Sequence, residues 1–421
     1  MDVCNVPGLM DIDDAIKTML TKISPISLLQ TRLISDAIGF VIAEDIVSPI
    51  SVPPFANSAM DGFAVHSHDL NESSQLPIIG QSLAGHPFNQ VVPKGSCIKI
   101  MTGAKVPEGC NAVIVREAVN VKDDIAFFTH NENSDATQPA MRVKPMQHIR
   151  SVGDDINHGD IVLSKGHRLN LRDISMLATL GLKEVTVFNK PTIAIFSTGD
   201  ELKPLGSVLA EGEIYDSNRY GLIPLFESMG CNVIDLGIIP DDSHAIEKAF
   251  IKADQLADIV VTSGGVSVGD ADFVKDIVSR IGKINFWKLA IKPGKPFAFG
   301  ELNNSFFCGL PGNPVSSFVT AYALVQPIIA KLSGHSEWQP PVRLSASSQS
   351  NFRKQAGRTD YQRGIFSIKE GLPVVETTGN QSSGAFRSMS LANCFIILER
   401  ERGNVSAGEN VTIELFNPQI G

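Results

Sequence analysis

Cysteine is scarce in this 421-residue chain, and no two of Cys4, Cys97, Cys110, Cys231, Cys308 and Cys394 form a CxxC pair. The spacing gives no disulfide framework and reads as reduced, mostly buried thiols in a cytosolic protein. Basic charge is short as well. With 36 Lys and Arg against 45 Asp and Glu, the net charge is −9, so no cationic excess is available to displace counterions from a nucleic acid. A small anionic ligand stays open if lysines gather locally. No basic-then-apolar leader stands at the N-terminus and no run reads as a membrane span, which leaves the cytoplasm as the expected compartment and no membrane partner. The Lys-Ser/Thr ending of a P-loop and the dinucleotide glycine spacing are both missing, so kinase and dehydrogenase readings lose most of their support. Internal repeats and low-complexity segments are absent. The length itself predicts about two to four domains.

What is present centres on residues 259–272, IVVTSGGVSVGDAD. A β-prone run from Ile259 to Thr262 fits a strand buried on both faces of a parallel sheet. Phe273, Val274, Ile277, Val278 and Ile281 then recur at helical spacing, which puts the glycines where a strand hands over to a helix N-terminus. Gly264, Gly265 and Gly269 allow close backbone approach, and the free N–H groups of a helix start favour phosphate. Asp270 and Asp272 would repel that ligand unless a cation such as Mg²⁺ lay between. Helix capping by either aspartate is the plainer alternative.

Taken in order, Ile12, Ala15, Ile16, Met19, Leu20 and Ile23 after Asp11 predict an amphipathic helix that ends before Pro25. From about Ser51 to Pro145, short β-prone runs such as Cys97 to Met101 alternate with turn residues, as in a small all-β domain. Asp61, in SAMDGFAV, reads first as an Asx-turn residue, and Thr102 stands at a strand end before a glycine. His66 and His68 read as solvated surface. Asp154, Asp155 and Asp160 read as a solvated acidic loop. A helix is expected over 169–180. From Pro191 to about Leu332, strands at 192–197 and 232–236 alternate with helices at 222–229 and 243–255, which predicts an open, mainly parallel sheet with helices on both faces. Ligands in such sheets sit outside the carboxyl ends of the strands, where Thr198-Gly199-Asp200-Glu201, Asp241-Asp242 and the glycine loop all fall. Asp216 and Asn218 read as helix-start residues. Lys288, Lys292 and Lys295, in KLAIKPGKPFAFG, supply the missing local cations, and GLPGNPVSSF (309–318) supplies a further turn into a helix. After Gly334, β-prone runs at 385–398 and 411–415 suggest a small β domain or barrel. Arg358 and Arg363 there could reach a phosphate or simply solvate the surface.

The ordered set SAMDG, IMTGAKVP, FSTGDEL, TSGGVSVGDAD, KLAIKPGKP and GLPGNPVS closely resembles the MoeA family of molybdopterin molybdenumtransferases and the E domain of gephyrin-type proteins. The resemblance covers nearly the whole chain. It implies a multi-domain α/β plus β protein: an N-terminal discontinuous dimerisation part (1–50 and 146–190), an inserted β domain (51–145), an α/β molybdopterin-binding domain (191–333) and a C-terminal β barrel (334–421). It implies insertion of molybdate into the dithiolene of adenylylated molybdopterin, with release of AMP and Mg²⁺ assistance. By motif it nominates Asp61, Thr102, Glu201, Asp242, Asp272, Lys288 and Lys292 as catalytic, with Glu201, Asp242 and Asp272 holding the metal. Ser263, Gly264, Gly265, Ser267, Gly269, Pro311, Gly312, Asn313, Pro314, Asp155 and Arg363 are the implied substrate-binding residues, and Ser383 is a looser match. A homodimer with sites at the subunit interface is implied, along with transient contact with a molybdopterin adenylyltransferase. Phe63 stands where tyrosine is common and Phe40 replaces an arginine. The rival readings are ATP-dependent adenylylation of molybdopterin and a non-catalytic gephyrin-like scaffold.

Overall fold

The computed structural model describes residues 9–128, 142–265, 273–336 and 338–416. The stretch Val266–Asp272, with Ser267, Gly269, Asp270 and Asp272, lies outside the described residues. The chain forms two compact units. One comprises Met1–Ala43, Gly166–Asn170 and Glu184–Gly421; the other comprises Glu44–Lys165 and Leu171–Lys183.

The first unit opens with helix α1 (Ile12–Lys22), whose N-cap Asp11 accepts from the Asp13 amide, and which buries Ile12, Ala15 and Met19. Its main layer is a six-stranded sheet. In chain order the elements are β1 (Thr192–Thr198), α2 (Ser217–Ser228), β2 (Asn232–Ile239), α3 (Ser243–Leu256), β3 (Ile259–Ser263), α4 (Phe273–Ile281), β4 (Lys283–Lys288), the short outlying strand β5 (Ile291–Lys292), β6 (Pro296–Glu301) and β7 (Phe306–Leu310). The order across the sheet is β2-β1-β3-β7-β6-β4. The first four strands are parallel, and β6 and β4 add an antiparallel edge.

Alternation along β1 explains why its run is apolar throughout. Ile193 and Ile195 face one core with Leu222, Leu225 and Phe226 of α2, while Ala194 and Phe196 face the other with Ile246 and Phe250 of α3. Phe250 meets Phe196 and Phe307 edge-on at 5.2 and 5.3 Å between ring centroids. Each such ring, fully buried, contributes about 1.5–3 kcal/mol.

After β7 the helix α5 (Pro314–Leu332), which includes one π turn at Ala321–Val325, is long and apolar enough to cross a membrane. From the sequence alone no run is expected to be long enough for this. With 78% of its apolar window buried inside the protein, α5 serves as a core helix. This unit also holds a two-stranded sheet, Leu29–Leu33 with Glu184–Phe188, and a barrel in which Thr359–Lys369 (β8) pairs with Leu372–Thr377 and the ring closes through Arg343–Ser348, Asn410–Leu415 and Cys394–Leu398 back to β8. The expected β run over 385–398 is in part a helix, Phe386–Leu391, followed by the strand. Ser388 of that helix is held by a tertiary contact, accepting from Arg363 Nε, which no local pattern could announce.

The second unit is built on another six-stranded sheet, ordered Ala112–Val115, Gly62–Val65, Cys97–Ile100, Gln75–Ser82, Ile125–Phe128, Val119–Lys122. Its helix Leu171–Thr179 falls within the expected 169–180.

Candidate active site

At the carboxyl ends of the parallel strands lies a cleft of about 570 Å³. The ends of β1, β3 and β7 and the loops after them wall it: Thr198, Gly199 and Glu201 at the first, Ser263, Gly264 and Gly265 at the second, Pro311 to Pro314 at the third. Sheet geometry alone brings these distant stretches together, because parallel strands deliver every following loop to the same edge. Gly264 and Gly265 have φ of +95° and +69°. A Cβ on Gly264 would lie 2.7 Å from the Thr198 carbonyl oxygen, and one on Gly265 would lie 2.9 Å from Thr198 Oγ1, so side chains there would force the walls apart.

Asn218, read from the sequence as a simple helix-start residue, ties two of these loops. Its Nδ2 donates to Ser263 Oγ at 2.8 Å and to the Gly312 carbonyl at 2.7 Å. The carbonyl can only accept, which fixes the amide's orientation. Asp216 does cap α2, accepting from the Arg219 amide, but it also accepts from Ser197 Oγ at 3.1 Å and Arg219 Nε at 2.9 Å, and Arg219 continues to Asp235. That buried network clamps the α2 N-terminus to β1. Two cleft atoms, Thr198 Oγ1 and Asn218 Oδ1, are buried without a hydrogen-bond partner among the described residues. Groups of this kind are costly in a resting site and suit a polar ligand.

The acidic groups are distributed differently from expectation. Glu201 and Asp241 line the cleft. The Asp241 carboxyl is pushed up by burial and by the neighbouring Asp200 and Glu201 carboxylates, while its amide donates to Asp200 Oδ1 at 3.1 Å. Asp242, nominated from the sequence, caps α3: its Oδ1 accepts from the Ala245 amide at 2.8 Å, and it is not among the cleft-lining residues. Among the described residues no three acidic, His or Cys side chains converge as a metal site.

The cations also separate. Lys288 pairs in register with Pro296, a cleft residue, so it belongs to that sheet edge. Lys292 Nζ is bonded to Asp360 Oδ2 at 3.2 Å. Arg363 is 1% exposed, with Nε donating to Ser388 Oγ at 3.0 Å and Nη2 to the Ser382 and Asn380 carbonyls. Burial brings its guanidinium down to about 10, and its hydrogen bonds tie the 380–388 stretch to the barrel.

In the second unit Asp61 accepts from both the Thr102 amide (2.7 Å) and Thr102 Oγ1 (2.8 Å), which holds its carboxyl below the usual range. The partner is 41 residues away, so Asp61 is not a local Asx-turn residue. Both lie exposed. Asp155 is exposed too, its amide donating to the Val52 carbonyl. His66 is half-buried and not the solvated surface expected.

An open α/β sheet with glycine turns and carboxylates gathered at its strand ends has the arrangement in which such folds hold small ligands. Three family models match in succession: the MoeA N-terminal region (domain I and II) over 10–181, a probable molybdopterin binding domain over 194–331, and the MoeA C-terminal region (domain IV) over 345–416. A Haemophilus influenzae protein named molybdopterin molybdenumtransferase is 48% identical, covering 98% of this chain and 100% of its own. Gephyrin from Dictyostelium discoideum is 30% identical over 98% of this chain and 63% of its own length. The crystal structure of the molybdopterin biosynthesis moeA protein from Pyrococcus horikoshii OT3 matches with a TM-score of 0.81 and 30% identity, covering 97% of this chain and 100% of that one. The chain belongs to the MoeA family.

Proposed function

We propose that this protein is a molybdopterin molybdenumtransferase: it inserts molybdate into the dithiolene of adenylylated molybdopterin and releases AMP. The observation that carries the reading is the strand-end cleft, where glycine turns, acceptor and donor side chains and two carboxylates meet in one volume large enough for a nucleotide-sized ligand. Ser263 to Gly265 and Pro311 to Pro314 contact the substrate, and Lys288 and Lys292 bind its anionic groups or the incoming molybdate. Cleavage breaks the phosphoanhydride with water as nucleophile, so no covalent protein intermediate is needed. The cysteines fit this: none of those described lines the cleft, and burial pushes the thiols of Cys97, Cys110 and Cys394 up to about 12.

Mg²⁺ would meet two carboxylates in a cleft meant for a polyanionic substrate, a setting that suits a hard cation. Glu201 and Asp241 would hold it, with Asp272 a further ligand and Asp242 left to its cap. When bound, the ion offsets charge on the phosphoanhydride.

The protein works as a homodimer whose sites lie at the subunit interface, where Asp61 and Thr102 of one subunit serve the cleft of the other. Its four-part division and transient contact with a molybdopterin adenylyltransferase belong to the same reading.

Purified protein with adenylylated molybdopterin, Mg²⁺ and molybdate is expected to release AMP in step with metal-loaded cofactor. Glu201→Gln and Asp241→Asn should each slow release by about 10²-fold. Consumption of ATP with free molybdopterin, and no AMP from the adenylylated form, would transfer the assignment to an adenylyltransferase.

A further inference from the structure

The lysine-bearing loop 288–296 is held from several sides. The Met10 amide donates to the Lys288 carbonyl at 3.2 Å and the Ala290 amide to the Met10 carbonyl at 2.8 Å. The Leu289 amide closes the loop on the Lys295 carbonyl at 3.0 Å. Gly294, at φ +115°, sits so close to α5 that a Cβ would lie 2.4 Å from Thr320 Cγ2. The last restraint comes from the barrel. Strand β5 runs parallel to β8 with Ile291 opposite Thr359 and Lys292 opposite Asp360, and the Thr359 amide donates to the Ala290 carbonyl at 2.9 Å.

That pairing sets a carboxylate against the lysine. Asp360 is 2% exposed, and its Oδ2 accepts from Lys292 Nζ at 3.2 Å and Gln362 Nε2 at 3.4 Å. The Lys292 side chain is 45% exposed, and its ammonium keeps two further N–H donors for another acceptor. A second cation, Lys354, is buried nearby but spends its ammonium on the Arg400 and Arg402 carbonyls at 3.3 and 2.8 Å. Asp360 also supports the Lys354 charge from nearby, but Lys292 is the cation its carboxylate bonds directly.

We infer that Asp360 is a positioning residue for Lys292, and that the C-terminal barrel acts in the reaction by orienting this ammonium toward the anionic substrate. The inference rests on the proposed role of Lys292 as a substrate-facing cation. A free lysine side chain samples many rotamers, and a buried partner removes part of that entropy cost before the ligand arrives. The same carboxylate weakens the ammonium's pull on a ground-state anion, so binding energy is kept for the transition state.

The experiment is a double-mutant cycle on the full-length protein, following AMP release from adenylylated molybdopterin with Mg²⁺ and molybdate. Asp360→Asn should lower kcat about ten-fold while lowering KM by roughly two- to five-fold, because an unneutralised ammonium binds the anion more tightly but less well placed. In a Lys292→Ala background the same substitution should no longer lower KM, whatever it costs through the buried Lys354 beside it. A purely structural lesion would not lower KM and would persist without the lysine. Wild-type kcat and KM for Asp360→Asn, with Lys292→Ala impaired, overturn the positioning role and leave the function intact. Wild-type kinetics for Lys292→Ala overturn the premise itself. If Asp360→Asn does not fold, Asp360→Glu carries the test: the misplaced charge alters KM, again only when Lys292 is present.

Discussion

Asn218 shows how much one side chain can do when two loops meet at it. A single amide nitrogen satisfies a hydroxyl at the end of β3 and a carbonyl after β7, so its loss frees both walls of the cleft. Asn218→Ala should reduce kcat/KM for AMP release by about 10–100-fold, corresponding to the 1–3 kcal/mol typical of polar groups left unpaired. Unaltered kinetics in a folded variant would refute the bridging role. Nothing local distinguishes this asparagine from an ordinary helix-start residue, and the same holds for Asp61, whose tie to Thr102 spans 41 positions. Glu201 was legible because an acid at a strand end in an α/β pattern is informative in itself. Of the pair Asp241 and Asp242, the motif singled out Asp242, whereas in the fold Asp242 caps α3 and Asp241 lines the cleft.

At the scale of elements, the end of α5 carries a titratable burden. The His335 amide caps the helix on the Ala330 carbonyl at 3.0 Å, and burial, then the Arg168 guanidinium and His167, bring its imidazole down to about 4. The unfolded chain takes up a proton near the ordinary histidine value of about 6.5 that the folded protein refuses until about 4. Stability is therefore lost as pH falls through that window, since the unfolded state binds more protons there. Wild-type protein should lose more of its urea midpoint between about pH 7 and 4.5 than His335→Gln does. Equal losses would remove His335 from the account. The helix itself was legible only in its opening, at the GLPGNPVSSF turn; its continuation to Leu332 depends on packing into the core.

For the whole molecule, the proposed exchange of residues between subunits has a direct consequence. An Asp61→Ala chain and a Glu201→Gln chain, each nearly inactive alone, should regain about a quarter of wild-type activity when coassembled, because a two-fold dimer then holds one intact site in half of its assemblies. No recovery in mixed dimers isolated by tag would place Asp61 and Glu201 in the same subunit's site. The order of βα units, the buried strands and the glycine turns could be read from residues alone, because periodicity and turn chemistry are local properties of the chain. Which acid faces the cleft, which asparagine joins its walls and which aspartate holds Lys292 were decided by the tertiary structure. Those contacts join positions tens of residues apart, and only the folded sheet and barrel bring them within hydrogen-bonding distance.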